Sequence, residues 1–399
     1  DFPNAIAPGW FAWKDDLAKK GFRFNIDYLS LGQRTNSNMG AGEAASGIAR
    51  FYGAWQATEH GSLTFKIENR HAYGAVAPQF LGLDGGALSI TGTAFKDNGT
   101  MLTNLFWTQR AADGGWTLQV GQIDVTDFLD VYGLVSPYSG FQNLAFNTNP
   151  TINAPNPGLG IAGGIKLGSN FYMVGSLADA NADPTSPDLD VFSHGTLFKS
   201  LEIGYTSGLD RVYFDNVHLT LWHADAADDG SRAEDYGASF SAAWFIGNQW
   251  MPFVRAGMSK GTAALYDKSV SAGVGYYTRK TDLAGLGVNW AEANGLPGSQ
   301  PTLEALYLGQ PGQCGSGNFG SGSGGIKWRN GQGAWLRGGI GIGPHRGNQF
   351  RHLDPEFAQL GLVEDHTGLG QIHPVDHGQG VSAGFFGQHD FVLQPDCCA

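Results

Sequence analysis

Trp116, Leu118 and Val120 alternate with Thr117, Gln119 and Gly121, the period-two signature of a strand with one apolar and one polar face. The alternation then stops. From Asp124 to Pro157 the chain is one aromatic-rich connection carrying Phe128, Tyr132, Tyr138, Phe141 and Phe146, broken by Pro137, Pro150, Pro155 and Pro157. Connections of this length without periodicity are functional or disordered, and the aromatic content argues against disorder. Two more alternating runs follow, Leu159 to Leu167 and Phe171 to Ala180, joined by the tight Gly168-Ser169-Asn170 turn.

The same unit recurs along the chain. Phe22, Phe24, Ile26 and Tyr28 oppose Arg23, Asn25 and Asp27; Ala49, Phe51 and Trp55 oppose Arg50, Tyr52 and Gln56; Leu63, Phe65 and Ile67 oppose Thr64, Lys66, Glu68 and Arg70. A short turn joins the second and third runs, whereas a long Gly-rich connection, residues 72–100, follows the third. Leu102–Arg110, Leu197–Thr206, Val212–His223, Tyr236–Ile246, Trp250–Met258, Val270–Tyr277, Leu283–Ala291 and Pro301–Leu308 continue the pattern, although Phe106 and Trp107 leave the facing of the first of these ambiguous. The total is about fourteen strand candidates, each near the ~10 residues of a tilted membrane strand. Short turns alternating with long loops are the habit of a transmembrane barrel, in which only the external side carries elaborated loops. Before the strands, Trp10, Trp13 and Leu17 at helical spacing and Gly21 as a stop predict a short helix capping one barrel end.

Bulk properties agree with a barrel. No run of about 18 apolar residues exists, which excludes a membrane-spanning helix. Alternating faces average to an ordinary mean hydropathy, here −0.19. The net charge of −12 and the lack of a basic patch with interleaved aromatics argue against nucleic-acid partners. Trp55, Trp116, Trp244, Trp250 and Trp290 fall near predicted strand ends, which an interfacial girdle would explain, although a soluble sandwich could also place tryptophans there. The chain begins at Asp1 with no visible signal peptide, so it is read as mature or truncated. Cys314, Cys397 and Cys398 make a poor disulfide framework.

The polar faces carry Arg23, Asp27, Arg50, Lys66, Glu68, Arg70, Arg110, Glu202, Arg255 and Glu304. Opposed Arg and Glu side chains around a narrowed lumen set a transverse field and supply donors and acceptors for sugar hydroxyls; the plainer alternative is that they wet the wall and pair with one another. Tyr132, Tyr138, Phe141 and Phe146 present rings to sugar C–H faces if the long loop folds inward, or else pack that loop against the wall. No nucleophile stands beside a base. Gly320 to Gly325 lacks the Lys-Ser/Thr of a phosphate loop. His366, His373 and His377 with Asp365 and Asp376 resemble a metal site by count only, since Pro374 breaks the helix such spacing needs. Neither metal nor cofactor is expected.

GQIDVTDFLDVYG, FQNLAFNTNP and PNPGLGIAGGIKLGSNFYMVGSLADA resemble the carbohydrate-selective porins of the OprB family. DDLAKKGFRFNIDYL before them, and WFIGNQWMPFVRAGMSKG, LAGLGVNWAE and QPTLEALY after, extend the resemblance in order from Trp10 to about Leu308. The resemblance implies an all-β fold, a transmembrane antiparallel β-barrel of sixteen strands in the bacterial outer membrane. It implies passive, selective diffusion of small sugars, monosaccharides among them, through a pore narrowed by residues 124–157. Small sugars and outer-membrane lipid are the expected partners, with monomer and trimer both open. The competing readings are a barrel enzyme such as a lipid hydrolase, and a structural or adhesive barrel with a blocked lumen.

After Tyr307 the text changes. Residues 309–325 are nearly all Gly, Ser, Gln and Asn, six of the histidines and all three cysteines lie beyond Leu308, and tyrosine disappears. Residues 1–308 therefore read as the barrel, and 309–399 as an atypical Gly/His-rich tail: disordered, the product of a reading-frame error, or an unrelated replacement of the last strands. A barrel left open there would expose unpaired backbone groups to lipid, each costing several kcal/mol.

Overall fold

The computed structural model describes residues 8–87, 90–189, 195–226, 233–278, 282–296, 298–308, 323–328 and 333–337, the last two segments as backbone only. Fourteen strands pair each with the next in one antiparallel sheet: β1 (Phe22–Arg34), β2 (Glu43–Gln56), β3 (Gly61–Ala72), β4 (Gly99–Arg110), β5 (Trp116–Ile123), β6 (Gly158–Leu167), β7 (Phe171–Asp179), β8 (Leu197–Thr206), β9 (Asp215–Ala224), β10 (Asp235–Trp244), β11 (Trp250–Lys260), β12 (Tyr266–Thr278), β13 (Asp282–Ala293) and β14 (Ser299–Leu308).

Two short strands, β15 (Ser323–Trp328) and β16 (Gly333–Arg337), carry the hydrogen-bonded order from β14 back to β1. The seam is thin on one side: β14 meets β15 only at Glu304–Trp328 and Ala305–Lys327, whereas β16 pairs with β1 from Arg337–Ser30 to Gly333–Arg34. Strands thus follow Leu308 although the alternation has ended, because ladder pairing uses main-chain groups that any residue but proline supplies in full. The rest of the 309–399 tail, with His366, His373, His377 and the cysteines, lies outside the described residues.

Direct cross-strand neighbours share a face, so the register sorts the side chains into two shells. Ile67, Leu219 and Val254 point outward, 41–49% exposed, while Arg50, Glu202 and Glu304 point inward and are at most 2% exposed. That is the inverse of a soluble core and the arrangement a lipid-embedded barrel needs. Leu105 faces out and Phe106 is buried inside, which resolves the facing of β4. Phe24 is the exception on the outer face. Helix α1 (Pro8–Lys19) sets Trp10 and Trp13 edge-on against it, with centroids 5.9 and 5.7 Å away, and Lys14 Nζ donates to Asn25 Oδ1 on the other face at 2.9 Å. The helix therefore grips the start of β1 at the barrel rim.

Short connections such as 57–60, 111–115 and 168–170 gather at one end; the long ones, 73–98, 124–157 and 180–196, gather at the other. The long connection 73–98 contains helix α2 (Pro78–Asp84). Trp55, Trp116, Trp244 and Trp250 stand at the short-turn end and Trp290 at the opposite one. Tyr205 stacks on Trp244 at 6.3 Å and Tyr276 leans on Trp250 at 4.2 Å, continuing the belt.

Candidate functional site

The interior is where the sequence expectation and the structure part. Its polar wall does not enclose an open bore, because residues 124–157 fold into the lumen and pack along β6–β14. Asp124 starts the segment by accepting from Thr126 N at 3.0 Å, which caps a 3-10 turn at Val125–Asp127. The chain then turns at Asp130, whose φ of 59° is unusual for a residue with a side chain.

A buried polar cluster holds that turn. The N–H of Asp130 donates to Glu202 Oε2 at 2.8 Å, and Glu202 also accepts from Tyr172 and Thr220 hydroxyls at 2.9 and 2.8 Å. The Asp130 carboxylate accepts from Asn149 N at 2.9 Å and from Arg255, and lies 3.2 Å from His218 Nε2. Arg255 donates as well to the carbonyl of Asn147. Burial would raise the pKa of Asp130, but the Arg255 guanidinium, His218 and the Asn149 N–H outweigh it and hold the carboxyl below its ordinary value. On the far wall, Glu304 accepts from the N–H groups of Gln142 and Asn143 at 2.7 and 3.0 Å. Two wall glutamates therefore accept from main-chain donors of the loop.

The loop aromatics complete the attachment. Tyr132 donates its hydroxyl to the carbonyl of Phe146 at 2.5 Å, and burial pushes that phenol's pKa up. Phe141, Phe146 and Phe253 form one aromatic group, with centroids 5.0–6.2 Å apart. They lie over Gly285 and Gly287 of β13; a Cβ built on Gly287 would sit 2.8 Å from the Phe146 ring. The glycines make a bare floor on which the rings rest.

Five of the expected lining residues are thereby corrected. Tyr132, Phe141, Glu202, Arg255 and Glu304 are 0–1% exposed and stand outside the lining of the cavity described below. They fasten the loop instead, through the hydrogen bonds and ring contacts just described. Glu68, also fully covered, sits behind Arg70, whose guanidinium it accepts from. Arg110 lies near the short-turn end, 3.5 Å from Ser62 Oγ, away from the cavity.

A cavity of about 350 Å³ lies between the loop and β2–β4. Arg50, Lys66, Arg70 and Tyr138 line it. Asp27 receives Arg50 in a two-point ion pair, Nε to Oδ1 at 2.8 Å and Nη2 to Oδ2 at 2.6 Å, and the Tyr138 ring lies 4.7 Å from the same guanidinium. Asp124 and Asp127 face the cavity from the start of the loop. A transverse separation of charge thus exists, with cations on β2 and β3 and carboxylates on the loop.

One lining cation escaped the sequence reading. Lys96 belongs to the 73–98 connection, which has no periodicity to mark a facing. That connection is latched to the constriction loop by Gly92 N to Gln142 O at 2.8 Å and Leu144 N to Ile90 O at 2.9 Å. Burial lowers the pKa of the Lys96 ammonium, Arg70 lowers it further, and Asp124 opposes both. Among the described residues no group of three or more His, Cys, Asp or Glu side chains is placed to hold a metal.

Comparison with solved structures supports the fold. The high-pH structure of Pseudomonas putida OprB matches with a TM-score of 0.62 at 13% identity, over 83% of this chain and 96% of that one. The low-pH structure of Pseudomonas putida OprB gives 0.48 at 10% identity, over 84% and 98%, and a multiply substituted Rhodopseudomonas blastica porin gives 0.47 at 13%, over 80% and 98%. A comparison with curated proteins returned no match. The family model described as carbohydrate-selective porin, OprB family, matches residues 10–211, just over half of the chain. The chain accordingly belongs to the OprB family of carbohydrate-selective porins, sugar-selective channels of the bacterial outer membrane.

Proposed function

We propose that small sugars, monosaccharides among them, cross this barrel along an off-centre path beside β2–β4, selected by Arg50, Lys66, Arg70 and Tyr138 facing Asp124 and Asp127. The observation that carries the reading is the lining of this interior cavity, which sets guanidinium and ammonium donors against carboxylate acceptors with an aromatic ring beside them. Such a site matches a sugar, whose hydroxyls donate and accept and whose C–H faces stack on rings. Passage is passive and involves no covalent step.

Planar-bilayer recording with the full chain tests the proposal. Sugar is expected to block the ion current in a saturable way, and Tyr138→Ala is expected to weaken that block several-fold. Saturation with the same half-blocking concentration in Tyr138→Ala would remove Tyr138 from the site; conductance without any sugar block would remove sugar selection at this cavity.

A further inference from the structure

We infer that this cavity prefers sugars bearing a carboxylate, such as uronates and aldonates, over their neutral counterparts, and that Lys96 decides the preference. The inference rests on the proposed sugar path and names the substrate class for it. Four cations line the cavity, Arg50, Lys66, Arg70 and Lys96, against the two carboxylates Asp124 and Asp127. Arg50 and Arg70 carry fixed carboxylate partners. Arg50 is bound by Asp27 in two-point geometry, and Arg70 by Glu68. The carboxylates are partly occupied too: Asp124 Oδ1 accepts from Thr126 N and Oγ1 at 3.0 and 2.7 Å, and Asp127 from Asn104 at 3.1 Å.

Lys96 differs. Its ammonium makes no hydrogen bond or ion pair to a described residue, although it is largely shielded from solvent and lines the cavity. A shielded cation whose opposing charge, Asp124, acts on it without a hydrogen bond or ion pair gains more from a carboxylate than from a hydroxyl, because charge-assisted hydrogen bonds are roughly twice as strong as neutral ones. A second observation points to a polar organic ligand rather than a simple anion. Asn147 also lines the cavity, is only 3% exposed, and has no partner for either its side-chain oxygen or its nitrogen. An unsatisfied amide in that position offers one acceptor and two donors to hydroxyl groups, and leaving it unpaired is costly. A ligand carrying both a carboxylate and hydroxyls satisfies both residues.

Block of single-channel current in planar bilayers separates the outcomes, with glucose, glucuronate and the methyl ester of glucuronate as probes. In the wild-type channel the half-blocking concentration of glucuronate should lie roughly tenfold below those of glucose and of the ester, a difference of about 1.4 kcal/mol. Lys96→Gln should bring the glucuronate-to-glucose ratio to within about twofold, and Lys96→Arg, which keeps the charge, should retain most of it. Equal block by all three probes in the wild type, or an unchanged ratio in Lys96→Gln, overturns the inference while leaving the sugar path standing. Conductance with no block by any probe overturns the sugar path and the inference together. The ester comparison needs no variant, so a Lys96→Gln chain that fails to insert does not protect the idea.

Discussion

Glu304 on β14 accepts the main-chain N–H of Gln142, a residue 162 positions earlier in the chain. A wall carboxylate fully covered by protein thus fixes the position of a loop that begins nine strands before it.

Glu304→Gln keeps the volume but leaves one acceptor for two donors, those of Gln142 and Asn143. The expected cost is about 1–3 kcal/mol of loop attachment. Single-channel recording should show larger and noisier conductance with the barrel still folded by circular dichroism; a quiet, wild-type conductance would show that the contact does not set loop position.

Arg255→Ala removes the cation from the Asp130 carboxylate and leaves that charge buried. Breaking such a pair costs about 3–5 kcal/mol. We expect a clearly lowered thermal unfolding midpoint in detergent, and recovery of much of the loss in Arg255→Ala/Asp130→Asn.

The pH response follows from the same pair. The pKa of Asp130 is depressed in the folded state, so the unfolded state binds the extra proton and the stabilisation is complete above the unfolded value of about 3.9. It is lost as pH falls below that value through the folded one. Conductance should be steady from pH 7 to about 5 and become unstable only in stronger acid, in the range set by the unfolded value of about 3.9 and below it. Loop opening centred near pH 6 would assign control to a different group.

Gly287→Val puts side-chain atoms where Phe146 rests, a Cβ alone already standing 2.8 Å from the ring. Overpacking of this kind costs about 1–3 kcal/mol. Protease sensitivity within 124–157 should rise in folded, membrane-inserted protein.

On the outer face, Leu219→Arg places a charge against hydrocarbon. The expected penalty is about 2–4 kcal/mol near the midplane, read from folding into liposomes against urea.

Much of the wall was legible in advance. Alternation assigned Phe51, Ile67 and Val254 to lipid and Arg50, Lys66 and Glu304 to the interior, because lipid on one side and polar groups on the other impose opposite demands on successive residues. The same alternation is silent on what covers an inward face. Glu202 and Lys66 have the same inward signature, yet one is sealed under Asp130 and the other lines the cavity. The difference lies in where a distant loop lands, and loop packing leaves no local period. Lys96 was invisible for the same reason, and the glycines at 285 and 287 read as strand residues until the rings above them gave them a purpose.

The uneven tryptophan belt makes membrane orientation optically readable. With Trp55, Trp116, Trp244 and Trp250 at one rim and Trp290 at the other, a brominated lipid confined to a single leaflet darkens the indole emission unequally from the two sides. The leaflet that quenches more is the one that holds the short turns, so a fluorimeter can report which way the channel has entered a vesicle before any current is measured.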